Sequence, residues 1–206
     1  MASLYDRFVL PRLLKCACSA PPIAKQRQKV VPKAEGRVLE LGIGMGLNLA
    51  FYDGAKVSSV TGVDPAPELR RIAEAAPRDP RIAVAVEDGT AEALPFEDRS
   101  FDCVVCTFTL CSVCTPSAAL AEARRVLKPG GRFLYAEHGL SPDADVAKWQ
   151  RRIEPVWKRI AGGCHLTRPV TSAIQAAGFR VERSDSMYLP RAPRFAGWSE
   201  WGEAVP

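Results

Sequence analysis

Residues 38–48 read V-L-E-L-G-I-G-M-G-L-N, and residues 60–64 read V-T-G-V-D. An apolar strand with an acid near its end, a glycine turn and a second strand ending in an acid together make a nucleoside-binding crevice. Glycine lets a ligand approach the backbone, and a carboxylate at the tip of the next strand can accept hydrogen bonds from both ribose hydroxyls. Gly42, Gly44 and Gly46 are spaced G-x-G-x-G, and Leu47 stands where a dinucleotide fingerprint would carry its third glycine. Glu40 adds an anion where a pyrophosphate would pass, so a cationic ligand suits the crevice better. S-adenosylmethionine, with an ammonium and a sulfonium, is such a ligand.

A second group of residues has the chemistry to act on an acceptor. The two histidines are His138 and His165. His138 follows an expected fifth strand at the carboxyl edge of the sheet, where α/β active sites lie. His165 follows a glycine pair and stands between Cys164 and Arg168. Each imidazole is a candidate base or substrate contact, and each could equally cap a loop. Arg168 could act on substrate or bind backbone carbonyls. Trp149, Trp157, Phe195, Trp198 and Trp201 offer apolar walls or ordinary core.

Cys103-x-x-Cys106 and Cys111-x-x-Cys114 have the spacing of a four-thiolate zinc site. The first pair falls in the strand-like run F-D-C-V-V-C, where residues three apart face opposite sides of a sheet. Buried structural thiols are therefore expected, and no metal. Seven cysteines in an α/β chain fit a reducing, cytoplasmic setting better than a disulfide framework.

Apolar runs alternating with helical stretches predict a Rossmann-like α/β fold with a mainly parallel sheet. Strands are expected at 36–41, 57–63, 81–86, 101–108, 132–137, 178–184 and near 194–202. Helices are expected from 47 to 52 onward and at 67–76, 117–127, 143–160 and 169–177. Residues 1–35 should form two short helices, separated near Pro21-Pro22 and ending before Pro32, ahead of a domain spanning 36–206.

The 206 residues, 47% hydrophobic, suffice for one sizeable core. The net charge of +5 is concentrated in residues 1–35, which hold seven bases against two acids; the remaining 21 bases and 21 acids balance. That segment is also amphipathic, through Leu4, Tyr5, Phe8, Val9, Leu13 and Leu14. It reads as a lid with apolar side chains toward the acceptor and basic ones outward, as a contact with an anionic membrane surface (residues 1–30), or as an ordinary solvated face. Its apolar run is broken by Pro11 and Arg12, so neither a membrane span nor a signal peptide is expected.

Five motifs resemble, in order, those of class I S-adenosylmethionine-dependent methyltransferases of type 11. They are V-L-E-L-G-I-G-M-G, the Val63-Asp64 strand end, A-E-A-L-P-F, S-F-D-C-V-V and R-V-L-K-P-G-G-R-F, and they cover residues 36–137. The resemblance implies a seven-stranded sheet with an antiparallel hairpin at one edge. It implies that Glu40, Gly42, Gly44, Gly46 and Asn48 line the methionine and ribose part of the cofactor, with Asp64 on the ribose hydroxyls and Pro65 against adenine. Thr90, Ala91 and Glu92 would border the adenine edge, with Asp88 an alternative where many relatives carry Asp at position 90. Thr107 and Leu110 would approach the methionyl group.

A narrower resemblance, to the methyltransferase-like seven proteins and their bacterial relatives, rests on V-V-C-T (104–107), L-C-S-V (110–113), A-E-H (136–138) and G-C-H-L-T-R (163–168). That group includes alkyl-thiol S-methyltransferases tied to membranes by an N-terminal anchor. This chain lacks the long apolar anchor and has His165 where that group tends to carry Asn. The resemblance implies methylation of a small thiol or sulfide, with S-adenosylhomocysteine as product. Competing expectations are N-methylation of a phospholipid or small amine, NAD-dependent oxidation, and cofactor binding without catalysis. The neutral body and the lack of an N-P-P-Y-like tetrad argue against nucleic-acid modification. A monomer or weak dimer is expected.

Overall fold

The computed structural model describes residues 16–206, so the expectations placed on residues 1–15 lie outside the described residues. Seven strands form one sheet: β1 (Gly36–Leu41), β2 (Val57–Asp64), β3 (Ala83–Asp88), β4 (Phe101–Thr107), β5 (Leu127–His138), β6 (Arg180–Tyr188) and β7 (Trp198–Val205). The spatial order is β3-β2-β1-β4-β5-β7-β6. The first five strands pair in parallel, and β7 runs antiparallel to both β5 and β6. The direction of travel reverses between β1 and β4. There the crossovers diverge and open a crevice at the carboxyl ends of the strands.

The helices are α1 (Pro21–Val30), α2 (Pro67–Glu74), α3 (Pro116–Val126), α4 (Ala144–Ile160), α5 (Val170–Ala176) and α6 (Arg194–Gly197). Period-two alternation divides the core between the sheet's two faces. Leu39, Leu41, Val104, Cys106, Phe133 and Tyr135 pack with Leu120, Val126 and Ile174 of α3 and α5. Val38, Cys103, Val105, Leu134 and Ala136 pack on the other face with Val30 of α1 and Ala73 of α2. Cys103 and Cys106 thus lie on opposite faces, as strand geometry requires. Burial pushes the Cys103 thiol up to about 12.

Arg194–Gly197, expected within the last strand, forms α6 ahead of β7, and two further expectations fail. The segment after β1 makes only a single 3-10 turn, Leu49–Phe51, instead of opening a helix. Tyr52 leaves that turn extended, at φ −70° and ψ 139°. Its phenol drops into the core and donates to Glu40 Oε2 at 2.7 Å, which diverts the backbone from a helical path. The second failure concerns the N-terminal segment. Its described helix, α1, starts with Pro21 and Pro22 in the first turn, where a missing N–H costs nothing. It then buries Gln26, Arg27 and Val30 against the sheet. The expectation that its basic side chains all point outward is wrong at Arg27, which is 6% exposed. Among the described residues, no helix is long and apolar enough to cross a membrane.

Candidate active site

The glycine turn between β1 and β2 follows directly from its sequence. Gly42, Gly44 and Gly46 all take left-handed φ values, 63°, 55° and 73°, a conformation that L side chains resist. At Gly44 an added Cβ would meet nothing closer than the Gly42 carbonyl at 3.8 Å, so the inner surface of the turn is open to a ligand. Asp64, at the tip of β2, lies across the turn. Its Oδ2 accepts from Gly44 N at 3.0 Å and its Oδ1 from Ala66 N at 2.9 Å. Burial raises its pKa above the ordinary carboxylate value, against the pull of those two N–H groups. A cleft of about 180 Å³ runs from Gly42 past Pro65 to Thr90, Ala91 and Glu92. A larger open trough of about 850 Å³ follows α4, but the polar groups converge on the smaller cleft.

Two buried acids flank the end of β4, one on each sheet face. Glu40, on the α1 face, accepts from Asn48 Nδ2 at 2.9 Å and from the Tyr52 hydroxyl. Asn48 Nδ2 also reaches Thr107 Oγ1 at 3.0 Å. The Arg27 guanidinium enters the same cluster and donates to Asn48 Oδ1 at 3.0 Å and to Thr107 Oγ1. Its Cζ lies 5.2 Å from the centre of the Phe108 ring. Burial pushes Glu40 up to about 7 and pulls Arg27 below its ordinary value. Arg27 Nε is buried with no partner.

Glu137, on the other face, receives Thr109 N at 2.7 Å and Leu110 N at 3.0 Å on Oε1. Burial raises its pKa as well. Phe108, between the two acids, is a non-glycine residue at φ 54°. That strain, of order 1–3 kcal/mol, turns the chain from one acid to the other.

Beyond Phe108 the loop is clamped from three sides. Arg168 donates to the carbonyls of Leu110 and Val113, and His165 N donates to Cys111 O at 2.8 Å. Glu137 supplies the third clamp. Segment 165–167 is held in turn by Glu154 of α4, which accepts from Leu166 N, Thr167 N and the Thr167 hydroxyl. Cys111, Cys164 and His138 are thereby brought together, their Sγ and imidazole nitrogen atoms all within 4.8 Å. His138 Nε2 lies 3.0 Å from Cys164 Sγ, and Trp157 Nε1 donates to the same sulfur at 3.4 Å. Burial disfavours the imidazolium, yet the Cys164 sulfur and Glu137 outweigh it and hold His138 above its ordinary value.

Comparison with known proteins decides what this crevice serves. A family model described as a methyltransferase domain matches residues 39–135. Thiol S-methyltransferase TMT1B of Rattus norvegicus is 41% identical over 176 residues, covering 79% of this chain and 70% of the relative. Its Homo sapiens counterpart is 36% identical over 178 residues, covering 80% and 71%. The chain belongs to the class I S-adenosylmethionine-dependent methyltransferases. A SAM-dependent methyltransferase of known structure from Thermotoga maritima shares the fold of this methyltransferase, with a TM-score of 0.67 at 23% identity over 98% of this chain and 97% of that one.

The donor set suits the cofactor that this family uses. The turn offers an open backbone, Asp64 a ribose acceptor, and Arg27 Nε an unspent buried donor on the face that carries Glu40. When bound, S-adenosylmethionine supplies the activated methyl group. The other expected contacts divide. Pro65, Thr90 and Ala91 line the cleft. Glu92 lines it too, while Glu92 Oε1 accepts from Cys114 N at 2.7 Å and steadies the start of α3. Asp88 Oδ1 pairs with Arg70 at 2.7 Å on an exposed carboxylate. Glu40, Asn48 and Thr107 are almost fully buried and bonded to one another. They support the turn from behind, while Leu110 is buried at 3% exposure in the core cluster of the opposite face.

Of the three expected catalytic residues, only His138 faces the thiols. The His165 ring turns to Glu154 at 3.2 Å, and Arg168 is spent on carbonyls; both shape the loop. Arg27, Tyr52, Phe108, Glu137 and Glu154 were not singled out from sequence. An acid near the end of an otherwise apolar strand, as at Glu137, was the one available signal.

Replacing Asp64 with Ala should weaken S-adenosylhomocysteine binding ten- to a hundredfold. The loss of hydrogen bonds to a charged acceptor costs about 1.5–3 kcal/mol. Titration calorimetry checks it, and unchanged affinity would remove Asp64 from the cofactor site.

Glu40 gives a pH dependence. A carboxyl raised in the folded protein stabilises it fully below its unfolded value of about 4.3, and that contribution is lost as pH rises through about 7. The loss amounts to roughly 4 kcal/mol at most. Glu40→Gln, uncharged at every pH, should flatten the fall in urea midpoint across that window. An identical slope in variant and parent would show that Glu40 is not the titrating group.

Proposed function

We propose that this methyltransferase transfers the methyl group to the sulfur of a small thiol or sulfide. The observation that carries the reading is the convergence of Cys111, Cys164 and His138 beside Leu110 and Trp157 at the carboxyl edge of β4 and β5. A soft, largely buried cluster of two thiols and an imidazole suits a sulfur acceptor. It would repel a strongly hydrated one. Likeness to TMT1B, whose printed name is thiol S-methyltransferase, supports the same class.

Methyl transfer from a sulfonium is an in-line displacement in which charge disperses, so positioning and water exclusion do most of the work. The remaining task is ionisation. A free thiol, with pKa near 8.5, is only a few per cent thiolate at neutral pH. His138 Nε2 can take the proton, and Arg168 adds a positive field.

A second reading, N-methylation of a phospholipid or small amine at a membrane surface, draws on the outer face of α4. Trp149 and Val156 are 59% and 63% exposed there, among Lys148, Arg151, Arg152 and Lys158.

S-adenosylhomocysteine release should be measured in parallel against alkyl thiols, small amines, phenols and anionic phospholipid vesicles. Turnover with thiols, abolished by His138→Ala in a protein that still binds S-adenosylhomocysteine, is expected. Turnover confined to amines or vesicles would replace the thiol reading with the second one.

A further inference from the structure

We propose that Cys111, Cys164 and His138 bind one Zn²⁺ ion, leaving a fourth position for the acceptor thiol. This rests on the thiol reading for its fourth ligand and on geometry for the other three. The sequence pattern suggesting zinc paired Cys111 with Cys114. The fold instead brings Cys111 to two residues that lie far from it in the chain. Their donor atoms lie within 4.8 Å of one another. A tetrahedral zinc with bonds of about 2.0–2.3 Å needs ligand atoms about 3.5–3.8 Å apart. Small side-chain rotations close that difference.

The donor set is the appropriate one. Two thiolates and a neutral imidazole make a soft, borderline site that selects zinc over magnesium or calcium. Two thiolates also cancel the ion's charge, so the filled site adds no net charge to a buried position. Three protein ligands with an open fourth position are the pattern of catalytic rather than structural zinc. The ligands also stand on supports that hold them without the ion. Cys111 is carried by the loop that Arg168, Glu137 and His165 N clamp. Cys164 receives Trp157 Nε1. His138 closes β5, where its backbone pairs with Ser199 of β7; its Nδ1 is buried without a partner.

The site is placed for transfer. Cys111 lies two residues beyond Thr109, whose hydroxyl donates to Leu41 O at 3.0 Å at the start of the glycine turn. In binding the ion, Cys111 and Cys164 give up one proton each. The acceptor R–SH joins as R–S⁻; with the His138 lone pair given to the ion, the metal takes over the imidazole's part in ionising the thiol and the proton goes to solvent. The thiolate sulfur then attacks the methyl carbon. A carbon–sulfur bond forms, the methyl–sulfonium bond breaks, and its electron pair stays on the departing sulfur. The resulting thioether is a neutral, weak ligand and leaves the ion.

The test uses the full chain, stripped by chelator and titrated with Co²⁺, a spectroscopic stand-in for Zn²⁺. One equivalent should produce a sulfur-to-cobalt charge-transfer band and tetrahedral d–d bands. Cys111→Ser and Cys164→Ser should lose them, whereas Cys16→Ser, at an exposed position, should keep them. Circular dichroism and S-adenosylhomocysteine binding establish that each variant is folded. An added alkyl thiol should shift the bands, and Zn²⁺ should restore thiol turnover to the stripped enzyme at least tenfold. Absence of the bands, or their survival in Cys164→Ser, overturns the site. Full thiol turnover by zinc-free enzyme overturns it too and leaves the thiol reading intact. Bands that form and respond to no thiol, in an enzyme that methylates only amines, overturn the thiol ligand and the thiol reading together while the three-residue ion site stands.

Discussion

Two carboxyl groups are buried where β1 and β5 end, on opposite faces of the sheet, and the site is built around satisfying them. Burying an ionisable group costs several kcal/mol unless hydrogen bonds or a neutralised charge offset it. Glu40 is met by Tyr52, Asn48 and the nearby charge of Arg27. Glu137 is met on Oε1 by the two N–H groups that follow Phe108, while its Oε2 is buried without a partner. The end of β4 lies between them, with Thr107 tied to one cluster and Thr109 to the other. The left-handed Phe108 is the bend that makes both attachments possible. The same bend directs Cys111 toward Cys164 and His138, so the proposed acceptor side depends on the cofactor side.

This coupling explains the place of α1. Within the described part of the segment expected to form a lid, α1 contributes Val30 to the core and Arg27 to the Glu40 cluster. The helix is part of the floor of the site. Its missing counterpart, a helix directly after β1, gives way to a 3-10 turn for the same reason. Tyr52 is needed at Glu40, and a regular helix would carry it away.

The cofactor half was legible in the sequence because its determinants are local. Gly42, Gly44 and Gly46 must take left-handed φ, and Asp64 must end a strand, whatever the rest of the chain does. Period-two alternation likewise placed Cys103 and Cys106 on opposite faces without reference to tertiary structure. The acceptor half was legible only as a set of separate residues. His138 and Cys164 were noted, but nothing in a sequence shows that a loop after β4 and a loop after α4 meet. Arg168 and His165 were read as chemical groups because they lie beside a histidine-cysteine motif. The use of Arg168 on Leu110 O and Val113 O depends on packing across more than fifty residues of chain, and that of His165 on Glu154 on how the loop after α4 folds back on the helix. Arg27 was hidden for the opposite reason, since a basic residue in a basic segment gives no hint of burial.

The most direct test of this account is a double-mutant cycle on stability joining Glu40→Gln and Arg27→Met, read from urea unfolding near neutral pH. If the two side chains belong to one buried cluster, each single change leaves its partner imperfectly compensated. The double variant should then be less destabilised than the sum of the singles by more than about 1 kcal/mol. Additivity within about 0.3–0.5 kcal/mol would mean that the two residues act independently, and the shared support for the cofactor and acceptor sides would not exist as described.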